Sequence, residues 1–102
     1  MIKVGLIGFG KMGQIRYEAL SNNKIISVDK IYEIDKSLHK SELNFVEDPE
    51  SIFLDQEISA VIICTPNFLN LKYSLRSIET NKVFFVRNRQ PFLLKSLTRL
   101  KI

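Results

Sequence analysis

Residues Gly8-Phe9-Gly10-Lys11-Met12-Gly13 read GxGxxG, a spacing with a defined physical use. The first glycine permits a tight turn and the second lets a pyrophosphate approach the backbone. The third lets a helix pack closely on a strand, so that phosphates rest at the helix N-terminus. Twenty residues after Gly13 stands Glu33. An acid at that distance can accept a hydrogen bond from a ribose 2′-hydroxyl; the plainer reading is a surface Glu at a strand end. A third element, Val61 to Asn67 (VIICTPN), is an apolar run that stops on Thr65-Pro66-Asn67. Asn67 also suits a helix N-cap, and the two uses are compatible.

Other reactive side chains point to ordinary roles. His39 lies in a polar stretch with no cysteine or acid at metal-ligand spacing, which favours a surface histidine over a ligand. Cys64 closes an apolar run and reads as a core thiol inside a buried strand, with nothing beside it to lower its pKa. Tyr17 and Tyr73 read as packing residues. Glu47, Asp48 and Glu50 form a solvated loop and helix start, not a paired acid and base.

These residues need a scaffold, and the chain alternates strand and helix patterns to supply one. Ile2–Ile7 is the continuous apolar run of a strand buried on both faces. Met12, Ile15, Ala19 and Leu20 recur at helical spacing over Lys11 to Leu20. Ile25–Tyr32 is strand-like, and Asp35 to Glu42 has room for one helical turn. Leu43–Val46 suits a short strand. Asp48-Pro49 opens a helix, with Asp48 as N-cap and Pro49 at the first position, that runs through Leu54. Ile58–Cys64 is a strand, and Leu71, Leu75 and Ile78 mark a helix up to about Thr80. Lys82–Val86 is a fifth strand. Strands alternating with helices predict βαβ units, hence an α/β Rossmann-type parallel sheet of about five strands with flanking helices, here truncated.

Taken together, VGLIGFGKMG, IYEID, DPESIFLDQEISAVIICTPN and NKVFF resemble the glucose–fructose oxidoreductase, inositol dehydrogenase and MocA family over residues 1 to about 85. The resemblance implies a nicotinamide-dinucleotide-binding domain of an oxidoreductase that moves hydride to or from a sugar-like or cyclitol-like alcohol. It implies cofactor contacts from Gly8, Phe9, Gly10, Lys11, Met12, Gly13 and Glu33, with Thr65, Pro66, Asn67 and Asn70 toward the nicotinamide end. Many family members carry histidine where this chain has Asn70. Glu33 would repel a 2′-phosphate and no arginine follows to clamp one, so the expected cofactor is NAD over NADP. The family's Glu-Lys-Pro, whose lysine is usually assigned a catalytic role, falls in an ungapped match on Arg87-Asn88-Arg89. Asn88 supplies no ammonium, so no catalytic residue is expected and the isolated chain should be inactive. A stand-alone NAD-binding module without catalysis is the alternative.

The 102 residues amount to one domain. With 45% hydrophobic and 25% charged residues the chain is globular in composition, and no apolar run is long enough to span a membrane. One cysteine excludes an internal disulfide, and the glycines at 8, 10 and 13 break any signal-peptide pattern; both suggest the cytoplasm. The net charge of +4 divides unevenly: residues 1–81 hold nine basic and eleven acidic residues, and 82–102 hold six basic and none acidic. A nucleic-acid role for that tail ranks last, because few aromatics interleave with its charges. The expected organisation is a cofactor domain over 1–86 and a basic tail over 87–102, with the substrate domain absent. The tail has a further reading. Val83 to Phe92 can be encoded GTT TTT TTT GTG AGA AAC CGC CAG CCT TTT, and restoring one T yields Val-Phe-Phe-Cys-Glu-Lys-Pro-Pro-Ala-Phe. That resembles the family's missing segment, so residues from about Val86 are expected to be out of frame. The contrary expectation is a diverged short protein whose tail folds as a basic helix over the sheet edge.

Overall fold

The computed structural model describes residues 1–86; the predicted tail and Asn88 lie outside the described residues. Among the described residues five strands form one parallel sheet: β1 (Ile2–Ile7), β2 (Ile26–Tyr32), β3 (Phe45–Val46), β4 (Ile58–Ile63) and β5 (Val83–Val86). Their order is β3-β2-β1-β4-β5. Three helices connect them: α1 (Lys11–Ser21), α2 (Glu50–Phe53) and α3 (Asn67–Glu79), with a single 3-10 turn at Lys36–Leu38. Every pairing is parallel. The order reverses at β1, whose neighbours are β2 and β4. Open α/β sheets bind ligands beyond the carboxyl ends of the strands at such a reversal.

β1 is central because its sequence can be buried on both sides: Val4, Leu6 and Ile7 are all buried. Alternation along β4 then divides the core into two layers. Val61 and Ile63 pack with Ile52 and Phe53 of α2 and Tyr73 of α3. Ile62 and Cys64 face the other layer with Leu6, Phe9, Ile31 and Tyr17 of α1. Burying each such Leu, Ile or Phe side chain is worth about 1.5–3 kcal/mol.

Several expectations shift. β4 ends at Ile63, so Cys64 lies just beyond the strand and is half-buried. α2 begins at Glu50 with Pro49 as its cap residue, and Asp48 accepts from the Glu50 N–H at 2.9 Å, one position away from the expected arrangement. α3 departs more deeply. Leu71 and Leu75, whose spacing marks the helix, are exposed, and the buried face consists of Asn70, Tyr73, Ser74 and Ser77. Small polar side chains let the helix lie close to the sheet, and Ser77 returns its hydroxyl to the Tyr73 carbonyl at 2.8 Å. Ile15 and Ala19 of α1 also face outward.

α3 stops in a Schellman turn: the Lys82 N–H reaches the Ser77 carbonyl at 2.9 Å and the Asn81 N–H reaches Ile78 at 3.1 Å. Asn81 takes the left-handed conformation the motif requires, with φ of 59°. Lys82 is then buried. Its ammonium donates to the carbonyls of Asp55 and Ile58, each at 2.7 Å, tying the loop before β4 to the start of β5. Desolvation pushes its pKa down, partly offset by Asp55.

Candidate cofactor site

The glycine loop leaves β1 and turns into α1, and each glycine meets a different constraint. Gly8 has φ of +98°, and a side chain there would stand 2.6 Å from the Cys64 carbonyl oxygen. Gly8 is held by its N–H to the Tyr32 carbonyl at 2.8 Å, and Cys64 by its N–H to the Ile7 carbonyl at 2.8 Å. The turn is thus fixed to the ends of β2 and β4 together. Gly13 packs on the Gly8 carbonyl, which any added methyl would overlap. Gly10 differs: its backbone is extended, at φ −72° and ψ −163°, and a methyl added there would meet nothing within 4 Å. The loop therefore leaves open space at the one glycine where a phosphate would need to approach.

α1 suits an anion at this end. No acid occupies its first turn, no side chain caps Gly10, and Lys11 adds positive charge. The partial positive charge of a helix N-terminus is left for a ligand to use. Gln14 was not anticipated from the sequence. Its amide donates to the Phe9 carbonyl at 3.1 Å and its N–H to the Gly10 carbonyl at 2.9 Å, bracing the loop.

Glu33 follows β2 and reaches back to this loop. One carboxylate oxygen accepts from the Phe9 N–H at 2.7 Å and the other from the Asp35 N–H at 2.8 Å. A carboxylate has about four lone-pair sites, so both contacts leave capacity for a hydroxyl. The Phe9 side chain is buried and stacks edge-on against Phe45, centroids 5.2 Å apart, so only its backbone belongs to the loop surface. His39 is half-buried, where a surface residue was expected. Its ring lies flat on Phe45 at 4.3 Å, and Nε2 stands 2.7 Å from the Glu33 carbonyl oxygen. The polar neighbourhood concealed this, since the partners come from β3 and from the turn after β2.

Across the β1/β4 reversal, Thr65 and Pro66 lead from β4 into α3. Pro66 is the cap residue with no side-chain cap, and Asn67 is the first helical residue, one position past the N-cap expected of it. Pro66 and Asn67 are exposed and Thr65 is half-buried. Asn70 is buried, with no exposed surface. Its Oδ1 accepts from the Thr65 hydroxyl at 2.9 Å, and its amide donates to Asn67 Oδ1 at 3.5 Å. The structure thus brings Gly8, Gly10, Lys11, Met12, Glu33 and Thr65-Pro66-Asn67 to one edge of the sheet, with Gly13, Phe9 and Asn70 beneath them. Among the described residues no cluster of His, Cys, Asp or Glu could hold a metal ion, and no helix is long and apolar enough to cross a membrane.

A parallel sheet reversing at β1, a glycine loop at a helix N-terminus and an acid at the end of β2 define a Rossmann domain for a dinucleotide. Residues 2–87 match the model of the oxidoreductase family with an NAD-binding Rossmann fold, and the chain belongs to that family, the GFO/IDH/MocA oxidoreductases. Solved structures agree in fold. The myo-inositol dehydrogenase of Lactobacillus casei, solved with NAD(H) and myo-inositol, is 26% identical with a TM-score of 0.77, over 84% of this chain and 28% of its own. A candidate myo-inositol dehydrogenase from Sinorhizobium meliloti is 18% identical with a TM-score of 0.85, over 98% and 32%. An NAD-binding protein from Listeria innocua is 21% identical with a TM-score of 0.77, over 83% and 26%. The chain therefore spans about a quarter to a third of the length of these proteins. No curated protein matches it.

Proposed function

We propose that this chain binds NAD(H) in preference to NADP(H), as the cofactor-holding part of an oxidoreductase that acts on a sugar-like or cyclitol-like alcohol. The observation that carries the reading is the Glu33 carboxylate, 2.7 Å from the Phe9 N–H of the glycine loop. An anion held there can accept from the ribose hydroxyls and opposes a 2′-phosphate, while Lys36 leans instead toward Glu47 at 3.7 Å. NAD supplies hydride acceptance and return when bound. The chain's own part is to hold it: Gly8, Gly10, Lys11, Met12 and Gly13 for the pyrophosphate, Glu33 for the adenosine ribose, and Thr65, Pro66 and Asn67 for the other half, with Asn70 buried beneath them in place of the direct contact expected of it. A cytoplasmic setting fits this use. Fluorescence titration tests the preference: NADH is expected to bind more tightly than NADPH, and the reverse order overturns it.

Residues 1–86 are proposed as the cofactor domain and 87–102 as out-of-frame sequence. The family match ending at residue 87 supports this division. With Asn88 standing where the family lysine is expected, the purified chain should not turn over. Measurable hydride transfer that disappears in Gly10→Val would refute the inactivity. Reading the DNA tests the frame: the other frame should encode Glu-Lys-Pro, and immediate stop codons there would refute the shift.

A further inference from the structure

We infer that Asn70 is a positioning residue that makes the Thr65 hydroxyl an obligate acceptor toward the ligand. The loop would then select a donor group on the nicotinamide-riboside half of the dinucleotide. The inference rests on the dinucleotide reading above and extends it to the far half of the cofactor.

The placement follows from the sheet. The glycine loop lies beyond β1 and Glu33 beyond β2. A dinucleotide whose pyrophosphate sits at the loop and whose adenosine ribose meets Glu33 must send its other half toward β4, across the reversal. Thr65 is the first hydroxyl after β4 on that path. It is half-buried, so part of its surface remains available to a ligand.

A threonine hydroxyl has one proton and two lone pairs. Free to rotate, it donates or accepts as its partner requires. Here the proton points to Asn70 Oδ1 at 2.9 Å, and Asn70 has no exposed surface on which to find another partner. The Asn70 amide is itself directed to Asn67 Oδ1, which presents the carbonyl side to Thr65. A buried amide without its partner carries a desolvation penalty, so Asn70 keeps a partner on each side, Thr65 at 2.9 Å and Asn67 at 3.5 Å. With its proton committed inward, Thr65 has only lone pairs to offer. Two groups on the far half of the dinucleotide share the matching chemistry: the carboxamide N–H and the ribose hydroxyls.

Isothermal titration of the full chain with NADH, ADP-ribose, ADP and the 3-acetylpyridine analogue of NADH separates these cases. ADP reports the fold and the adenosine half alone. Asn70→Leu and Thr65→Val should both leave ADP affinity unchanged. Thr65→Val should weaken NADH about three- to tenfold, the worth of one hydrogen bond, whereas Asn70→Leu keeps the Thr65 lone pairs and only frees its proton. The double variant should lose no more NADH affinity than Thr65→Val alone, because Asn70 acts only through that hydroxyl. If the donor is the carboxamide, the acetylpyridine analogue binds the native chain as weakly as NADH binds Thr65→Val, and Asn70→Leu narrows that gap because the freed Thr65 proton can donate to the acetyl carbonyl. If it is a ribose hydroxyl, ADP-ribose shows the loss instead. Unchanged NADH affinity in Thr65→Val, a further loss when Asn70→Leu is added to it, or an analogue gap that Asn70→Leu does not narrow overturns the inference. Failure of the native chain to bind ADP or NADH refutes the dinucleotide reading itself. If Asn70→Leu does not fold, the Thr65→Val ratio of NADH to ADP affinity decides, and an unchanged ratio overturns the proposal.

Discussion

Replacing Gly10 by alanine should separate binding from folding. The native conformation, φ −72° and ψ −163°, is open to alanine, and the new methyl would meet no atom within 4 Å. Folding then loses nothing. Restricting the unfolded chain gains about 0.4–1 kcal/mol, which for a domain near this size raises Tm by roughly 2–6 °C. Binding should behave in the opposite way. The methyl occupies the space through which a phosphate reaches the loop N–H groups, and one charge-assisted hydrogen bond is worth about 1.5–3 kcal/mol. NADH affinity should fall roughly 10- to 150-fold. Gly13→Ala provides the contrast, because its methyl overlaps the Gly8 carbonyl and no flexible side chain can yield. Overpacking of that kind costs about 1–3 kcal/mol or more, so Tm should drop. Thermal melts paired with NADH fluorescence titration measure both quantities. Native NADH affinity in Gly10→Ala would refute the cradle, as would a Tm loss equal to that of Gly13→Ala.

Glu33→Gln keeps an acceptor for the loop but removes the charge, so the preference for NADH over NADPH should shrink by about tenfold in titrations with both cofactors; an unchanged ratio would detach Glu33 from cofactor choice. Acid should destabilise the fold through Asp55, whose carboxyl is held below its ordinary 3.8 by the Glu57 N–H and by Lys30 at 3.0 Å. Its folded pKa is depressed, so its contribution is complete above the unfolded value and disappears as pH falls through the folded one. Urea melts should therefore show stability declining below about pH 4, with a shallower decline in Asp55→Asn. Glu50, held low first by its hydrogen bonds to Arg76, acts in the same direction. This pair is substantially exposed and screened by solvent, so Arg76→Ala should leave the urea midpoint almost unchanged.

What could be read from the residues alone follows a physical division. β1 and β4 were legible because burial on both faces requires an unbroken apolar run, and both appear within a residue of the expected bounds. The glycine loop was legible because backbone conformation and close approach act on a contiguous segment. α3 was found for a reason the structure reverses: Leu71 and Leu75 signalled a helix, but they lie on its outer face. Its inner face is written in Asn70, Ser74 and Ser77, residue types that ordinarily mark solvent, and only proximity to the sheet makes them core. His39 was obscure in the same way, since the Phe45 ring it covers arrives from another strand. Asn70 shows the division most clearly. Its position relative to Thr-Pro-Asn was visible and suggested cofactor contact, yet only the fold shows that it is buried beneath Thr65. A residue's distance along the chain from a motif says that it belongs to a site. Whether it touches the ligand or governs the residue that does is decided by which way the helix turns.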